Sequence, residues 1–165
     1  LYSGDRAGSR YYFVLENTAA TETAQATSGL LNPGFRNEVT AVQVNPFMKF
    51  RGLELFGVLE RAEGKAATET NSREWRQYAI DAVYRFLPKE SVFVGARYNR
   101  VEGVLAGSLA DIDVKRVQVA AGWFITPSIL MKGELVDQKY AGFPVNDIRN
   151  GGKIQGFVVE GVVAF

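Results

Sequence analysis

Cysteine and histidine are both missing from the 165 residues. Without cysteine there is no disulfide scaffold, no thiol nucleophile and no thiolate metal site. Without histidine, Ser-His and Cys-His catalysis and the histidine-rich zinc and iron centres lose their main residue. An excess of one charge is missing too: Lys+Arg 19 stands against Asp+Glu 18, net +1. That balance lacks the basic surplus of nucleic-acid binding, so no nucleic-acid partner is expected. Long apolar runs are also lacking. The longest stretch without a charge, Val117–Met131, has 15 residues and is broken by Gln118, Pro127 and Ser128, whereas a spanning helix needs about 20. The chain shows no initiator Met and no signal peptide, and is expected to be a processed product or a fragment.

What is present is 47% hydrophobic and 12% aromatic, with 17 Gly, at a mean hydropathy of only -0.07. Apolar residues are therefore plentiful but dispersed, as in strands that alternate. Pro46, Pro88 and Pro127 sit in short polar breaks spaced 42 and 39 residues apart, each interval long enough for two strands and a loop. Proline collects at strand ends because it cannot donate to a ladder. Softer breaks at Thr18–Asn37, Glu63–Arg73, Gly107–Asp111 and Ala141–Gly152 alternate with the tight ones. The pattern predicts eight strands, at 9–17, 38–45, 47–62, 74–86, 91–104, 113–125, 129–140 and 153–165, in one all-β, antiparallel domain spanning 1–165.

Period two assigns the faces. Tyr78, Ile80, Ala82 and Tyr84, with Val117, Val119, Ala121 and Trp123, share one phase, while Gln77, Asp81, Arg85, Gln118 and Gly122 take the other. In 47–62 the phase of Lys49 and Arg51 conflicts with that of Glu54 and Glu60, and a β-bulge at Gly52 would reconcile them. Folding about Lys89 places Asp81 opposite Arg97.

Two architectures give this alternation: a soluble sandwich with its apolar faces inward, and a transmembrane barrel with them outward. The apolar faces run roughly 9–11 residues, the span of a tilted membrane strand, against about 5–6 in an average strand. Aromatics gather near the short turns: Tyr11, Tyr12, Phe13, Phe47, Phe50, Tyr84, Phe86, Phe93, Trp123, Phe124 and Phe165. They read either as a membrane-interface girdle or as a core layer at one end of a sandwich.

The chain ends FVVEGVVAF. Phe165, with Val163, Gly161, Val159 and Phe157 at alternate positions upstream, resembles the C-terminal assembly signal of bacterial (Gram-negative) outer-membrane β-barrel proteins. Val163 departs from that pattern, which often has an aromatic there. Asn45–Gly64 (NPFMKFRGLELFGVLERAEG) and Arg97–Gly107 (RYNRVEGVLAG) resemble the C-terminal half of longer porin-type proteins. The resemblance implies an antiparallel up-and-down transmembrane β-barrel in the outer membrane. Outer-membrane lipid and lipopolysaccharide would surround it, and the barrel-assembly machinery would read the last strand. A homo-oligomer or other membrane subunits stay open as partners. The turns at Pro46, Pro88 and Pro127 would be periplasmic, and the loops 18–37, 63–73, 107–111 and 141–152 extracellular.

On that reading the inward set is Arg10, Lys49, Arg51, Arg85, Arg97, Arg116 and Lys132 against Glu16, Glu54, Glu60, Asp81, Glu134 and Glu160. A porin-like channel for small hydrophilic solutes is expected, of no strong anion selectivity. The alternative is a closed eight-stranded structural or adhesive barrel with a plugged lumen. An aqueous channel needs about sixteen strands, so the channel reading expects this chain to be the C-terminal part of a larger barrel. Leu1–Arg10 would then be a connection entered from an earlier strand. No enzyme, cofactor or metal site is expected. Glu54 with Glu60, and Glu134 with Glu160, read as salt-bridged wall residues, and Asp111 with Asp113 offers too few carboxylates for calcium. The glycines at 103, 107, 151 and 152 fit no phosphate loop.

Overall fold

Turn chemistry sets the topology. The computed structural model describes residues 12–13, 26–27, 31, 33–35, 37–107, 110–147 and 149–164. Within them lie β1 (Tyr12–Phe13), β2 (Ala26–Thr27), β3 (Glu38–Val44), β4 (Phe47–Phe50), β5 (Leu53–Lys65), β6 (Arg73–Phe86), β7 (Val92–Val104), β8 (Asp111–Thr126), β9 (Ile129–Ala141) and β10 (Lys153–Val163). β1 pairs with β2 alone. The other eight form one antiparallel meander in the order β10-β9-β8-β7-β6-β5-β3, with β4 also on β5. The all-β, antiparallel expectation holds. The sheet is not closed: among the described residues, no strand pairs with the outer edge of β3 or of β10. The expected strand 9–17 lies outside the described residues apart from 12–13, as do Arg10, Glu16 and Phe165.

Two expectations about the first hairpin are overturned. Pro46 is not at a turn, and Gly52 is not a bulge. β3 and β4 are collinear on β5 without a change of register, from Glu38↔Lys65 to Phe50↔Leu53. The chain reverses at Arg51 (φ 52°) and Gly52. Pro46 interrupts the strand because it has no N–H to give, although its carbonyl still accepts from the Gly57 amide at 2.8 Å. Gly57 leaves room for the proline ring, since a Cβ there would lie 2.8 Å from Pro46 Cγ. The phase conflict between Lys49 and Glu54 is thus the turn itself, which places the two directly opposite each other. The one register shift in the β8–β9 pair falls between Phe124 and Thr126. The short ends at 51–52, 87–91 and 127–128 all lie at one side of the meander, the long loops at the other.

The two faces of the sheet differ in exposure, as the outer and inner faces of a curling sheet do. Along β6, Tyr78, Ile80, Tyr84 and Phe86 are exposed while Gln77, Ala79, Asp81, Val83 and Arg85 are buried or half-buried, and the more exposed face is termed convex, the other concave. On the turn-side half the convex face carries Phe50, Leu55, Ile80, Tyr84, Val94, Val119, Trp123, Leu135 and Phe157, several more than half exposed (Ile80 55%, Leu135 63%, Phe157 75%). Val117 to Ile125 is nine residues of this band, roughly 27 Å along the strand. The concave face of the same half is polar. Past Tyr78 and Tyr98 the pattern inverts. The convex face becomes charged, with Arg61, Arg76, Arg100, Lys115, Lys139 and Lys153, while the concave face fills with Leu31, Trp75, Val101, Ile112, Val114, Tyr140 and Phe143, all buried.

That loop-side core explains several local choices. Trp75 lies over Gly103, where a Cβ would sit 2.4 Å from its ring, and its indole N–H donates to the Val104 carbonyl at 3.0 Å. Buried Arg73 donates to the carbonyls of Val104 (2.7 Å) and Pro33 (2.9 Å) and to Glu69 (2.7 Å). Its guanidinium also stacks 5.1 Å from the Phe35 ring centroid. It ties residues 33–35 to the sheet with every polar contact satisfied, which is what makes a buried guanidinium tolerable.

Candidate functional site

Charge, aromatic rings and free volume come together on the concave face of the turn-side half. Register builds it, because successive hairpins keep alternate residues in line across the sheet. One row reads Phe56, Asp81, Arg97, Gln118, Val136, Gly156 and the next Glu54, Val83, Gly95, Ala120, Glu134, Val158. Of the thirteen residues expected to line it, Arg10 and Glu16 lie outside the described residues, and ten of the other eleven share this face: Lys49, Glu54, Glu60, Asp81, Arg85, Arg97, Arg116, Lys132, Glu134 and Glu160. Arg51 does not. It occupies the two-residue turn with its guanidinium 5.3 Å from the Phe50 ring, because the reversal falls at its own position.

The charges meet in short clusters rather than one network. Lys49 lies 2.8 Å from Glu54 and 3.6 Å from Glu90, and Arg85 reaches the same Glu54 oxygen at 3.3 Å. Asp81 and Arg97 face each other across β6 and β7 at 3.2 Å, the pair expected from folding about Lys89. Lys132 bridges Glu134 (2.9 Å) and Glu160 (3.5 Å), and Gln118 donates to Glu134. Arg116 donates to Gln138 at 3.2 Å, which in turn donates to the Tyr140 hydroxyl at 2.6 Å. Glu60 stands between Gln43 and Gln77. A groove of about 430 Å³ runs among Phe56, Asp81, Phe93, Arg97, Gln118 and Glu134.

Aromatics on this face were misplaced by the girdle expectation. Among the expected girdle residues whose side chains are described, Phe47, Phe93 and Phe124 take the concave side and Phe50, Tyr84, Phe86 and Trp123 the convex turn-side edge, while Tyr11 and Phe165 and the side chains of Tyr12 and Phe13 lie outside the description. Register puts Phe93 on this side, and its ring lies over Gly122, where a Cβ would come within 2.2 Å of it. Arg85 then sits over Phe93 and Phe124 at 5.5 and 6.0 Å, a cation–π arrangement that orients the guanidinium. A second aromatic level went unnoticed in the sequence. Tyr78, Tyr98 and Phe157 stand where the convex band meets the charged rows, a change of polarity at 76–78 and 98–100 that period-two reading alone contained.

With Lys49, Arg85, Arg97 and Lys132 each set against a carboxylate, this surface can present alternating charge to small polar solutes without concentrating either sign. Among the described residues, no three carboxylates gather as a metal site, and Asp111 and Asp113 lie apart in use, Asp113 being bound to Arg100 and Lys115. Phe157, Val159, Gly161 and Val163 follow one another on the convex face of β10. Comparison with protein-family models, curated proteins and solved structures finds no match.

Proposed function

We propose that this chain forms part of the wall of a bacterial outer-membrane β-barrel, a porin-like channel through which small hydrophilic solutes diffuse. The observation that carries the reading is the inside-out distribution: a convex apolar band, aromatic at both edges, backed by a concave face of paired charges. A sandwich would cover the apolar face with a second sheet. In a bilayer that face meets acyl chains, and every backbone group must be paired within the wall. The strands that close the barrel then lie outside the described residues. On this reading the turns at 51–52, 87–91 and 127–128 are periplasmic, the loops at the other end extracellular. The assembly machinery engages β10 through Phe157, Val159, Gly161, Val163 and Phe165.

Spin labels at 80 and 119, in protein reconstituted into bilayers, test the orientation against labels at 97 and 134. The first pair is expected to be quenched by lipid-soluble oxygen and the second by an aqueous nickel chelate. The reverse result would place the apolar band against protein and end the membrane reading. One observation favours the second reading, a plugged barrel: the loop-side third of the concave face is filled by Leu31, Trp75, Ile112, Tyr140 and Phe143. Planar-bilayer conductance separates the two, with steady ohmic current expected from the channel and none from the plug.

A further inference from the structure

Resting on the channel reading and naming a solute class for it, we infer that the turn-side rim holds a subsite for small organic carboxylates, built around Arg85. The site begins with what Arg85 lacks. Among the described residues its side chain gives one hydrogen bond, from Nε to Glu54 at 3.3 Å, and the two nitrogens at the end of the fork give none. That Glu54 oxygen is already held by Lys49 at 2.8 Å, so one carboxylate oxygen serves two cations. The rings of Phe93 and Phe124, 5.5 and 6.0 Å away, orient the guanidinium without neutralising it. A planar fork with its end open is the donor set that takes a carboxylate through two parallel hydrogen bonds.

Arg85 borders a cavity of about 730 Å³ at this rim, a size that suits a small ligand. The cavity exists because β8 outruns β7. Their last ladder pair is Val92↔Trp123, the Phe124 amide then donates to the Ser91 carbonyl at 2.8 Å, and β8 continues to Thr126. Pro88, Phe124, Ile125 and Pro127 give the cavity an apolar wall, and Lys49, Arg85 and Lys89 set three cations there against the two acids Glu54 and Glu90. Lys89 enters no ion pair among the described residues. One surplus positive charge beside an apolar wall favours a monoanion with an apolar body over a bare, strongly hydrated ion. The turn that completes the cavity is strained: Leu87, Lys89 and Glu90 have φ of 67°, 62° and 55°. Residues other than glycine rarely hold such angles, and where they do the strain gathers at ligand sites. The surplus is local, so it adds one binding step without making the whole wall anion-selective.

The test is fluorine NMR of 4-fluorobenzoate titrated with the full chain in octyl glucoside micelles at neutral pH. The uncharged 4-fluorobenzamide and the cationic 4-fluorobenzylamine serve as controls. Benzoate is expected to bind at least about tenfold more tightly than either. Arg85→Gln should remove that preference, and Glu54→Gln, which frees both cations, should raise it. Lys89→Gln, which loses no ion pair, should weaken benzoate alone. Equal binding of the three probes, or a preference that Arg85→Gln leaves intact, overturns the subsite. If Arg85→Gln does not fold, the other two variants decide, and no change in either overturns it. Binding is read at equilibrium in micelles, so a negative result leaves bilayer conductance and the channel reading untouched. Absence of ohmic current with the benzoate preference intact removes the channel and keeps the site.

Discussion

The two halves of each long strand obey opposite rules. Near the tight turns the convex side is apolar and open, and the concave side holds ion pairs. Near the loops the convex side is charged, and the concave side holds the only cluster of buried apolar residues among those described. β6 shows the exchange in one strand: Ile80 and Tyr84 face outward in its turn-side half, while in its loop-side half Trp75 faces inward and Arg76 takes the outward place. Since successive side chains point to opposite faces throughout, no bulge is needed for this. The polarity of the residues changes phase while the backbone does not. The difference teaches that the loop-side half can hold its shape by ordinary burial, whereas the turn-side half needs something apolar against its convex face.

The sharpest way to break this contrast is Trp75→Ala. It empties the centre of the loop-side core and should cost about 3–5 kcal/mol, read by denaturant titration, with amide exchange rising first in 73–76 and 101–104. A loss spread evenly over both halves would show that they are not separate in stability. Next comes Ile80→Arg. If the turn-side convex face meets lipid near the bilayer midplane, this substitution costs about 2–4 kcal/mol in a bilayer folding titration, while the converse Arg76→Ile in the charged rows costs little. Equal effects would remove the boundary at Tyr78.

A smaller effect is expected on the concave side. Asp81 and Arg97 are partly exposed, so a double-mutant cycle with Asp81→Asn and Arg97→Gln should give a coupling of about 0.2–1 kcal/mol; zero coupling would make the pair a geometric coincidence. The smallest effect belongs to the loops. The Arg73 side chain, followed by the Ala66 amide, holds the Glu69 carboxyl below its ordinary value, and Arg149 does the same for Asp147. A lowered carboxylate contributes fully above its unfolded value, and the contribution is lost as pH falls through the folded one. Amide protection within 66–72 and 142–152 should therefore decline on acidification below the usual carboxylate range, before the strands are affected. Protection rising with acid would reverse the assignment.

Much of this was legible without coordinates, for a physical reason: β alternation and turn residues are local. Six strand positions from 38 onward, the reversal about Lys89 and the Asp81–Arg97 pair all follow from counting in twos from a known turn. The count failed at Asn45-Pro46, where a proline read as a turn proved compatible with a straight strand, because a neighbouring glycine makes space for its ring and only one ladder bond is lost. For Phe93 and Phe124 the count was right, placing them in the phase of Arg97 and Gln118, and it was the girdle reading that failed; what the count could not supply is their seat against Gly122 across the ladder and under Arg85, partners that lie far away in sequence.

By itself, the sequence determined that the chain is all-β, which residues share a phase, and that no histidine or thiol chemistry is available. Only the tertiary structure decided which face is concave, where along the strands the polarity inverts, and that Arg85 lies over Phe93 and Phe124. Alternation fixes sides relative to neighbours in the same strand. Curvature and cross-strand register are properties of many strands together, set by turn lengths, glycine seats and the buried core at the loop side.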